Sequence, residues 1–157
     1  MSATIPERDL LTQAVVAHLV LSLGTEVAVG RGIAPPEGGW SEGQPGKGFF
    51  KPYVVVKTRM ARPNPPETIG RDRRIRWIMN YQLSVSSKLE SMVDSQAHLV
   101  RTKFLAFTGI YDLGDGSYEV EQADISTFGA TVPNNSTNPP YWDVTDDVSV
   151  WLSKVRG

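Results

Sequence analysis

The clearest pattern in the sequence is an alternation of apolar and polar side chains that begins at Ile75 and runs to Ser86. Odd positions in this stretch are apolar, and even positions are polar except for Ile78. Successive side chains of a strand point to opposite faces of its sheet. The alternation therefore predicts a long strand at 75–87 with one buried face and one face in water.

The residues after this strand change to a helical period. Apolar residues recur at steps of three or four positions, namely Leu89, Val93, Ala97, Val100, Phe104 and Phe107. This spacing predicts an amphipathic helix over 88–107, about five turns long, with one apolar stripe. We expect the stripe to pack on the strand through two sets of residues: Trp77, Tyr81, Leu83 and Val85 on the strand, and Val93, Ala97, Val100 and Phe104 on the helix.

The rest of the chain supplies a second helix and further strands. A capping box at residues 4–7 and a glycine at Gly24 delimit a helix with a broad apolar side. Strands are predicted at 25–34, 53–60 and 117–128, the last of these with a bulge near Gln122. A final strand has one apolar face, with Asp146 out of place among Trp142, Val144, Val148, Val150 and Leu152.

The order of these elements is helix, strand, strand, strand, helix, strand, strand, which predicts the α+β class. We expect a single domain over 1–157. Its sheet should be mostly antiparallel or mixed, with about five strands and both helices packed on one face.

Three long segments without periodicity connect the elements, at 35–51, 61–73 and 129–141. They are rich in glycine, proline or asparagine and offer little apolar surface to bury. A long loop in a small domain is usually functional, because its packing rarely offsets an ordering entropy of about 1–2 kcal/mol per residue. We expect these loops to be mobile in the free subunit and to become ordered against partners.

The composition narrows the classes of protein to consider. A chain of 157 residues, 40% of them hydrophobic, is long enough for one domain with a core. The chain contains no cysteine, which excludes disulfides, thiolate chemistry and cysteine-bound zinc. The longest apolar run, at 14–23, is interrupted by His18 and Ser22 and is too short to span a bilayer. No basic region precedes it, so we expect no secretory signal and synthesis in the cytoplasm.

Charge is distributed unevenly, although the net charge is −1. Residues 57–76 contain seven basic and two acidic side chains, whereas residues 112–147 contain eight acidic side chains and no Lys or Arg. This separation favours head-to-tail self-association between a basic and an acidic surface. Neutralisation within one monomer, across neighbouring strands, is an equally open alternative. The candidate interface residues are Arg59, Arg62, Arg71, Arg73, Arg74 and Arg76, with Asp112, Asp115, Glu119, Glu121, Asp143 and Asp147.

Candidate catalytic and metal-binding residues are scarce. His18 lies among apolar residues and His98 on the wet side of the second helix, without the spacing of a metal motif. Asp146 and Asp147 are adjacent and should point to opposite faces of a strand, which disfavours a carboxylate pair. The segment 112–116 lacks calcium-loop spacing and indicates a hairpin turn. We predict no catalytic residue, no cofactor and no metal site.

The basic cluster at 71–76 is the one stretch with the charge to contact phosphate. A nucleic-acid site is disfavoured, because the net charge is near zero and no aromatic residues alternate with the arginines. Two other interpretations of the cluster remain open: it lies in water at the base of the loop, or its arginines contact carboxylates of another subunit or partner.

The layout resembles that of the tail terminator proteins of long-tailed, siphovirus-type bacteriophages, of the lambda kind. The resemblance covers nearly the whole chain, from the helix at 6–23 through the strands, the long hairpin and the helix at 89–107 to the closing strands. It includes the phrases at 52–56 (PYVVV) and 77–85 (WIMNYQLSV).

This resemblance implies a homohexameric ring that caps the tail tube, stops its polymerisation and offers a surface to the head-completion (connector) protein. The ring would contact the tail tube protein, and genomic DNA would pass through its lumen without specific binding. The location would be the head-proximal end of the virion tail, after assembly in the host cytoplasm, with no catalytic residue and no membrane contact. Alternatives are a head–tail connector, a tail-tube subunit, a host-directed nucleic-acid-binding module and, most remotely, a small hydrolase.

Overall fold

The helices and strands of the protein are taken from a computed structural model that describes residues 5–64 and 75–155. Two helices lie within these residues, α1 at Arg8–Leu23 and α2 at Glu90–Leu105. The strands are β1 (Ala28–Arg31), β2 (Gly39–Trp40), β3 (Phe50–Lys51), β4 (Tyr53–Asn64), β5 (Arg76–Ser87), β6 (Ile110–Asp112), β7 (Ser117–Thr127), β8 (Thr131–Asn134) and β9 (Tyr141–Lys154).

One mixed sheet contains seven of these strands. The order across it is β1-β4-β5-β9-β7-β6, and β8 pairs with the first part of β9, beyond the end of β7. β1 runs parallel to β4, whereas the other neighbours are antiparallel. The remaining strands, β2 and β3, form a separate small hairpin. The α+β class and the two helices on one face of a mixed sheet are therefore confirmed.

The predicted strand count was too low. The five predicted strands correspond to β1, β4, β5, β7 and β9, and the bulge near Gln122 is confirmed by a register shift between Val120 and Gln122. The sequence analysis missed β2, β3, β6 and β8, which are only two to four residues long. Such short strands contain too few positions for an alternation to be visible.

The core lies between the sheet and the helices, as predicted for β5 and α2. Tyr81, Leu83 and Val85 are buried in one cluster with Val93, Ala97, Val100 and Phe104, and Trp77 packs against it partly buried. The ends of the predicted stripe differ. Leu89 precedes the helix and is 50% exposed, while Phe107 is buried just after the helix ends.

Helix α1 packs on the same face of the sheet. Its predicted end is confirmed, because Gly24 has φ 58° and donates its N–H to the carbonyl of Val20. The predicted capping box is not seen at its start: Glu7 is the N-cap and makes no side-chain cap bond, and Thr4 lies outside the described residues. The Thr12 hydroxyl lies 3.1 Å from the Tyr81 hydroxyl, and burial raises the pKa of Tyr81 to about 12. Tyr81 is therefore a neutral core side chain that ties α1 to β5.

The three predicted loops contain more regular structure than expected. Segment 35–51 includes β2 and β3, joined by edge-to-face packing of Trp40 on Phe50 at 5.3 Å between ring centroids. Residues 61–64 belong to β4, and 65–73 lie outside the described residues. Segment 129–141 includes β8. The prediction that these segments have no regular structure was wrong for β2 and β3, which pair with each other and are held by the Trp40–Phe50 contact. It was also wrong for β8, which pairs with β9.

Asp146, the misfit among the apolar residues of β9, faces the helices and is 2% exposed. Arg101 of α2 donates two hydrogen bonds to its carboxylate, at 2.6 and 2.9 Å, and the Gly129 N–H donates a third at 2.7 Å. The hydrogen bonding between Arg101 and Asp146 raises the pKa of Arg101. Gly129 lies in the connection between β7 and β8. The buried carboxylate of Asp146 therefore holds this connection in place.

Candidate assembly surface

The sheet face opposite the helices carries a shallow groove of about 440 Å³. Side chains from four adjacent strands line it: Arg59 and Arg62 from β4, Asn80 from β5, Asp147 and Trp151 from β9, and Asp124 from β7. We call this space the sheet groove. It combines basic, acidic and neutral polar side chains in one concave surface.

Strand register explains why these side chains share one face. Trp151 of β9 pairs with Ile78 of β5 and with Gln122 of β7, while Arg62 of β4 also pairs with Ile78. Residues that pair across strands point to the same side of a sheet. The row of Arg62, Ile78, Trp151 and Gln122 therefore lies on the face that carries the groove, which is the wet face predicted by the alternation in 75–87.

Two polar atoms of the groove are buried without a hydrogen-bond partner among the described residues. They are the carboxylate oxygen Oδ1 of Asp147 and the indole Nε1 of Trp151. A buried polar atom left unpaired costs roughly 1–3 kcal/mol, so such atoms are uncommon in folded domains. One is an acceptor and the other a donor, which suits a partner with mixed polar groups.

The predicted basic candidates fall into three groups. Arg59 and Arg62 are exposed and form no ion pair with any residue that the structure describes. Arg76 donates to Glu121 at 3.1 Å. Arg71, Arg73 and Arg74 lie outside the described residues.

The predicted acidic candidates are mostly engaged within the monomer. Asp143 accepts hydrogen bonds from Ser86 and Asn134, and Glu121 is paired with Arg76. Asp115 accepts the Tyr118 hydroxyl at 2.8 Å and lies 3.7 Å from Lys154. The side chain of Asp112 accepts the Gly114 N–H in the β6–β7 turn, and Glu119 is exposed. Neutralisation within the monomer thus accounts for some of these charges, and Asp147 remains in the groove with its unpaired oxygen.

The sequence analysis omitted Asp124 from the candidate interface residues. Within the part of the chain that the structure describes, the carboxylate of Asp124 accepts only the N–H of the next residue, Ile125, at 2.9 Å. The register shift at Val120/Gln122 changes which residues of β7 face the groove, and the residues after it bring Asp124 to that face. The predicted bulge near Gln122 was the signal that could have identified this residue.

At each lateral edge of the sheet, a short outer strand covers only part of the long strand beside it. β1 covers β4 at Tyr53–Val56, and among the residues that the structure describes 57–64 is paired on one side only. β6 covers β7 at Ser117–Glu119, and 121–127 is likewise paired on one side only in the described part of the chain. We call these segments the β4 edge and the β7 edge. The β4 edge carries Lys57, Arg59 and Arg62 and no acid, while the β7 edge carries Glu121 and Asp124 and no base.

The histidines and the adjacent aspartates lie where the sequence predicted. His18 Nε2 lies 2.7 Å from the Lys103 carbonyl and its ring packs on Phe107, whereas His98 is exposed. Asp146 and Asp147 lie on opposite faces of β9, and 112–116 forms the turn of the β6–β7 hairpin.

The surface described above combines two buried polar atoms without a described partner with charged side chains of both signs. None of the helices in 5–64 and 75–155 is both long enough and apolar enough to span a membrane. Compared with known proteins, the sequence matches no family model and no curated protein.

Proposed function

We propose that this protein is a structural subunit of a bacteriophage tail that assembles into a ring of the tail-terminator kind. The ring would sit on the head-proximal end of the tail tube and stop its polymerisation. Its other face would receive the head-completion protein, and DNA would pass through the lumen without being read.

The order of the elements supports this proposal most directly. Helix α1, strand β1, the long β4–β5 hairpin, helix α2 and the closing strands β7 and β9 follow one another as in the layout that resembles tail terminators. The two phrases of the resemblance, PYVVV and WIMNYQLSV, fall in or beside β4 and β5, which lie next to each other in the sheet. The likeness therefore concerns the framework of the domain.

The unlike edges of the sheet also support a ring. A contact between two different surfaces repeats from copy to copy and forms a ring when its rotation closes or an open filament when it does not, whereas a contact between identical surfaces stops at a dimer. The β4 edge and the β7 edge carry opposite charge, which favours the first kind of contact.

Native mass spectrometry and negative-stain electron microscopy of the purified protein test the ring directly. Six copies of a 17.3 kDa chain would give about 104 kDa and a particle with a central channel. Open-ended tubes made by this protein alone would identify a tail-tube subunit instead. A species that stays monomeric or dimeric at low salt and high protein concentration would contradict the proposal.

The capping activity needs a second experiment with tail tubes. Added ring should bind one end of growing tubes and halt their elongation, and a phage that lacks the gene should make overlong tails without heads. Complementation with the parent gene is the control for the phage experiment. Rings that bind heads and leave tube elongation unchanged would identify a head–tail connector.

A further inference from the structure

We propose that neighbouring copies of this chain join through two short strands on opposite sides of the sheet, with β1 of one copy beside β8 of the next. The proposal rests on the ring suggested above and assigns its subunit interface. The occupant beside each strand is a second copy of the same chain, and every copy contributes β1 on one side and β8 on the other.

β1 and β8 lie at the same height on the two sides of the sheet. One row of paired residues joins them, namely Val29, Val54, Val85, Val144 and Thr131. A copy placed beside the first without sliding along the strands therefore sets its Val29 opposite Thr131. A contact without such an offset suits a closed ring better than a rising filament.

Strand direction and free space permit the same contact. β1 is parallel to β4, and each later neighbour in the series β4, β5, β9 and β8 is antiparallel, so β1 and β8 run in opposite directions. A neighbour in the same orientation thus pairs its β1 antiparallel to β8. β6 covers only Ser117–Glu119, at the end of the sheet away from β8, so it leaves the place beside β8 open.

The outer side of β1 presents backbone groups for this pairing. The N–H groups of Ala28 and Gly32 donate to carbonyls of the segment 52–56, on the inner side. Because backbone groups alternate along a strand, those of Val29 and Arg31 point outward. In the part of the chain that the structure describes, β1 pairs with no strand other than β4.

The same alternation identifies the free groups of β8. The Val155 N–H donates to Ser117 on the β7 side of β9. β9 pairs with β5 without a register shift, so the backbone groups of Asp143 point to that same side, where β8 pairs. Val132, the partner of Asp143, therefore uses its backbone groups within the monomer, and those of Thr131 point outward.

Val29 and Thr131 of two copies can thus exchange two backbone hydrogen bonds in the unshifted register. Pro133 has no N–H to donate, which keeps the ladder short and is typical of a strand at an edge. A shift of one residue is excluded, because it would turn the side chains of one copy to the opposite face. The short ladder fixes the register, and side chains around it must supply further contact.

An apolar cleft of about 470 Å³ beside β1 supplies this contact. Val20 at the end of α1, Val29 and Phe49 lie along the cleft, and Val20 and Phe49 are 50% and 68% exposed. Val132 of β8 is 50% exposed and would enter the cleft on the same side as Phe49. Burial of these exposed apolar side chains favours the join.

Charge favours pairing of β1 with β8 over pairing of two β1 strands. Below the join, the β4 edge of one copy faces the β7 edge of the next across a gap one strand wide, about 10 Å between backbones. The basic Arg62 then lies on the opposite side of the gap from the acidic Asp124. Arg8 keeps its bond to the Arg59 carbonyl, because no strand enters this gap. Two β1 strands paired about a twofold axis would not bring the unlike edges together.

Cysteine cross-linking tests the join, since the parent chain contains no cysteine. Ala28 of one copy would lie opposite Val132 of the next in a non-hydrogen-bonded pair, about 4.5 Å between Cα atoms, within the range of a disulfide. Within one chain the two residues are four strand spacings apart, about 19 Å. After mild oxidation, Ala28→Cys/Val132→Cys should give a ladder of covalent oligomers up to the full ring.

The single variants separate the unlike contact from contacts between identical strands. Ala28→Cys alone and Val132→Cys alone should stay monomeric on a denaturing gel, and their mixture should give covalent dimers only. Dimers of Ala28→Cys alone would show that two β1 strands pair, and dimers of Val132→Cys alone would show the same for β8. Either result overturns the proposal. The matched control, Ala28→Cys/Gln122→Cys, has its second thiol on β7 and should give no ladder.

A substitution at Val132 tests the cleft without cross-linking. Val132→Lys places a charge among apolar side chains at every interface, and the assembled fraction in native mass spectrometry should fall roughly tenfold. Val132 is half exposed in the monomer, so circular dichroism and melting temperature should match the parent. Ile110→Lys, at a 61% exposed position on β6, is the control and should assemble like the parent.

These results distinguish failure of the interface from failure of the ring. A parent protein that forms no ring overturns both proposals. A parent that forms rings, together with a cysteine pair that gives no ladder and a Val132→Lys variant that assembles normally, leaves the ring standing and overturns the join of β1 with β8.

Discussion

Asp146 and Asp147 are neighbours in β9, and their surroundings differ as much as the two faces of the sheet. Asp146 faces the helices, where Arg101 and the Gly129 N–H donate three hydrogen bonds to its carboxylate. Asp147 faces the sheet groove, where its Oδ1 is buried without a described partner. The carboxylate of Asp146 is fully hydrogen-bonded within the monomer, whereas that of Asp147 has one acceptor oxygen without a described donor.

The same contrast extends over the whole sheet. On the helix side, apolar residues of β4, β5, β7 and β9 form one cluster with both helices. On the groove side, polar side chains pair across strands, such as Ser84 with Thr145 at 3.0 Å and Ser149 with Asn80 at 2.7 Å. Burial of apolar surface dominates folding free energy, so we expect the helix side to determine stability and the groove side to determine assembly.

The largest expected effect tests the helix side. Val100→Asp places an unpaired charge in the core, where Val100 is 1% exposed, and should cost on the order of 4 kcal/mol or more. The soluble yield should fall sharply, and any soluble fraction should unfold at much lower urea. His98→Asp, two residues away on the exposed face of the same helix, is the control and should behave like the parent. Equal tolerance at both positions would mean that the helix faces are wrongly assigned.

The long elements could be predicted from the sequence because each repeats its pattern many times. In β5 the alternation spans the whole strand, and the stripe on α2 fixes its buried face. Short strands such as β8 are visible only through their partner, since pairing with β9 aligns Thr131 with Val144. Where tertiary pairing alone creates an element, local pattern carries no signal for it.

The candidate surface was predictable only in part, for a related reason. Alternation predicted the wet face, and the charge separation predicted a basic segment at 57–76 and an acidic segment at 112–147, which contain the β4 edge and the β7 edge. Strand order cannot be read from the sequence, however, so the internal partners of Asp143 and Glu121 were not foreseen. Asp124 was omitted from the candidates for the same reason, since it reaches the groove because β7 lies next to β9.

A smaller effect is expected when the Arg101–Asp146 pair is broken. Asp146→Asn removes the charge that Arg101 faces and should cost about 3 kcal/mol, since a partly buried guanidinium is left without its anion. In a domain of this size the melting temperature should fall by roughly 6–12 °C.

The matched control for this loss is the double variant Arg101→Met/Asp146→Leu, which removes both charges. It should regain most of the stability, because apolar side chains can replace an ion pair of this kind, although the Gly129 N–H loses its acceptor at a cost of about 1 kcal/mol. A double variant as unstable as Asp146→Asn would show that the change of strand from β7 to β8 depends on the carboxylate itself.

The smallest effect on the monomer is expected at Asp147, and it completes the comparison. Asp147→Asn keeps the shape of the side chain, and no described donor loses its acceptor, so the free energy of unfolding should change by no more than about 0.5 kcal/mol. In the assembled ring the result should differ, because contacts between unlike charges favour the ring proposed above and Asp147 supplies a negative charge on the groove face. We expect the salt concentration that dissociates half of the rings to fall for Asp147→Asn, with the monomer melting temperature unchanged. Urea unfolding and native mass spectrometry on the same preparation measure both quantities. A loss of monomer stability as large as that of Asp146→Asn would show that Asp147 is satisfied within its own chain, and the two faces of the sheet would then not differ in the way proposed.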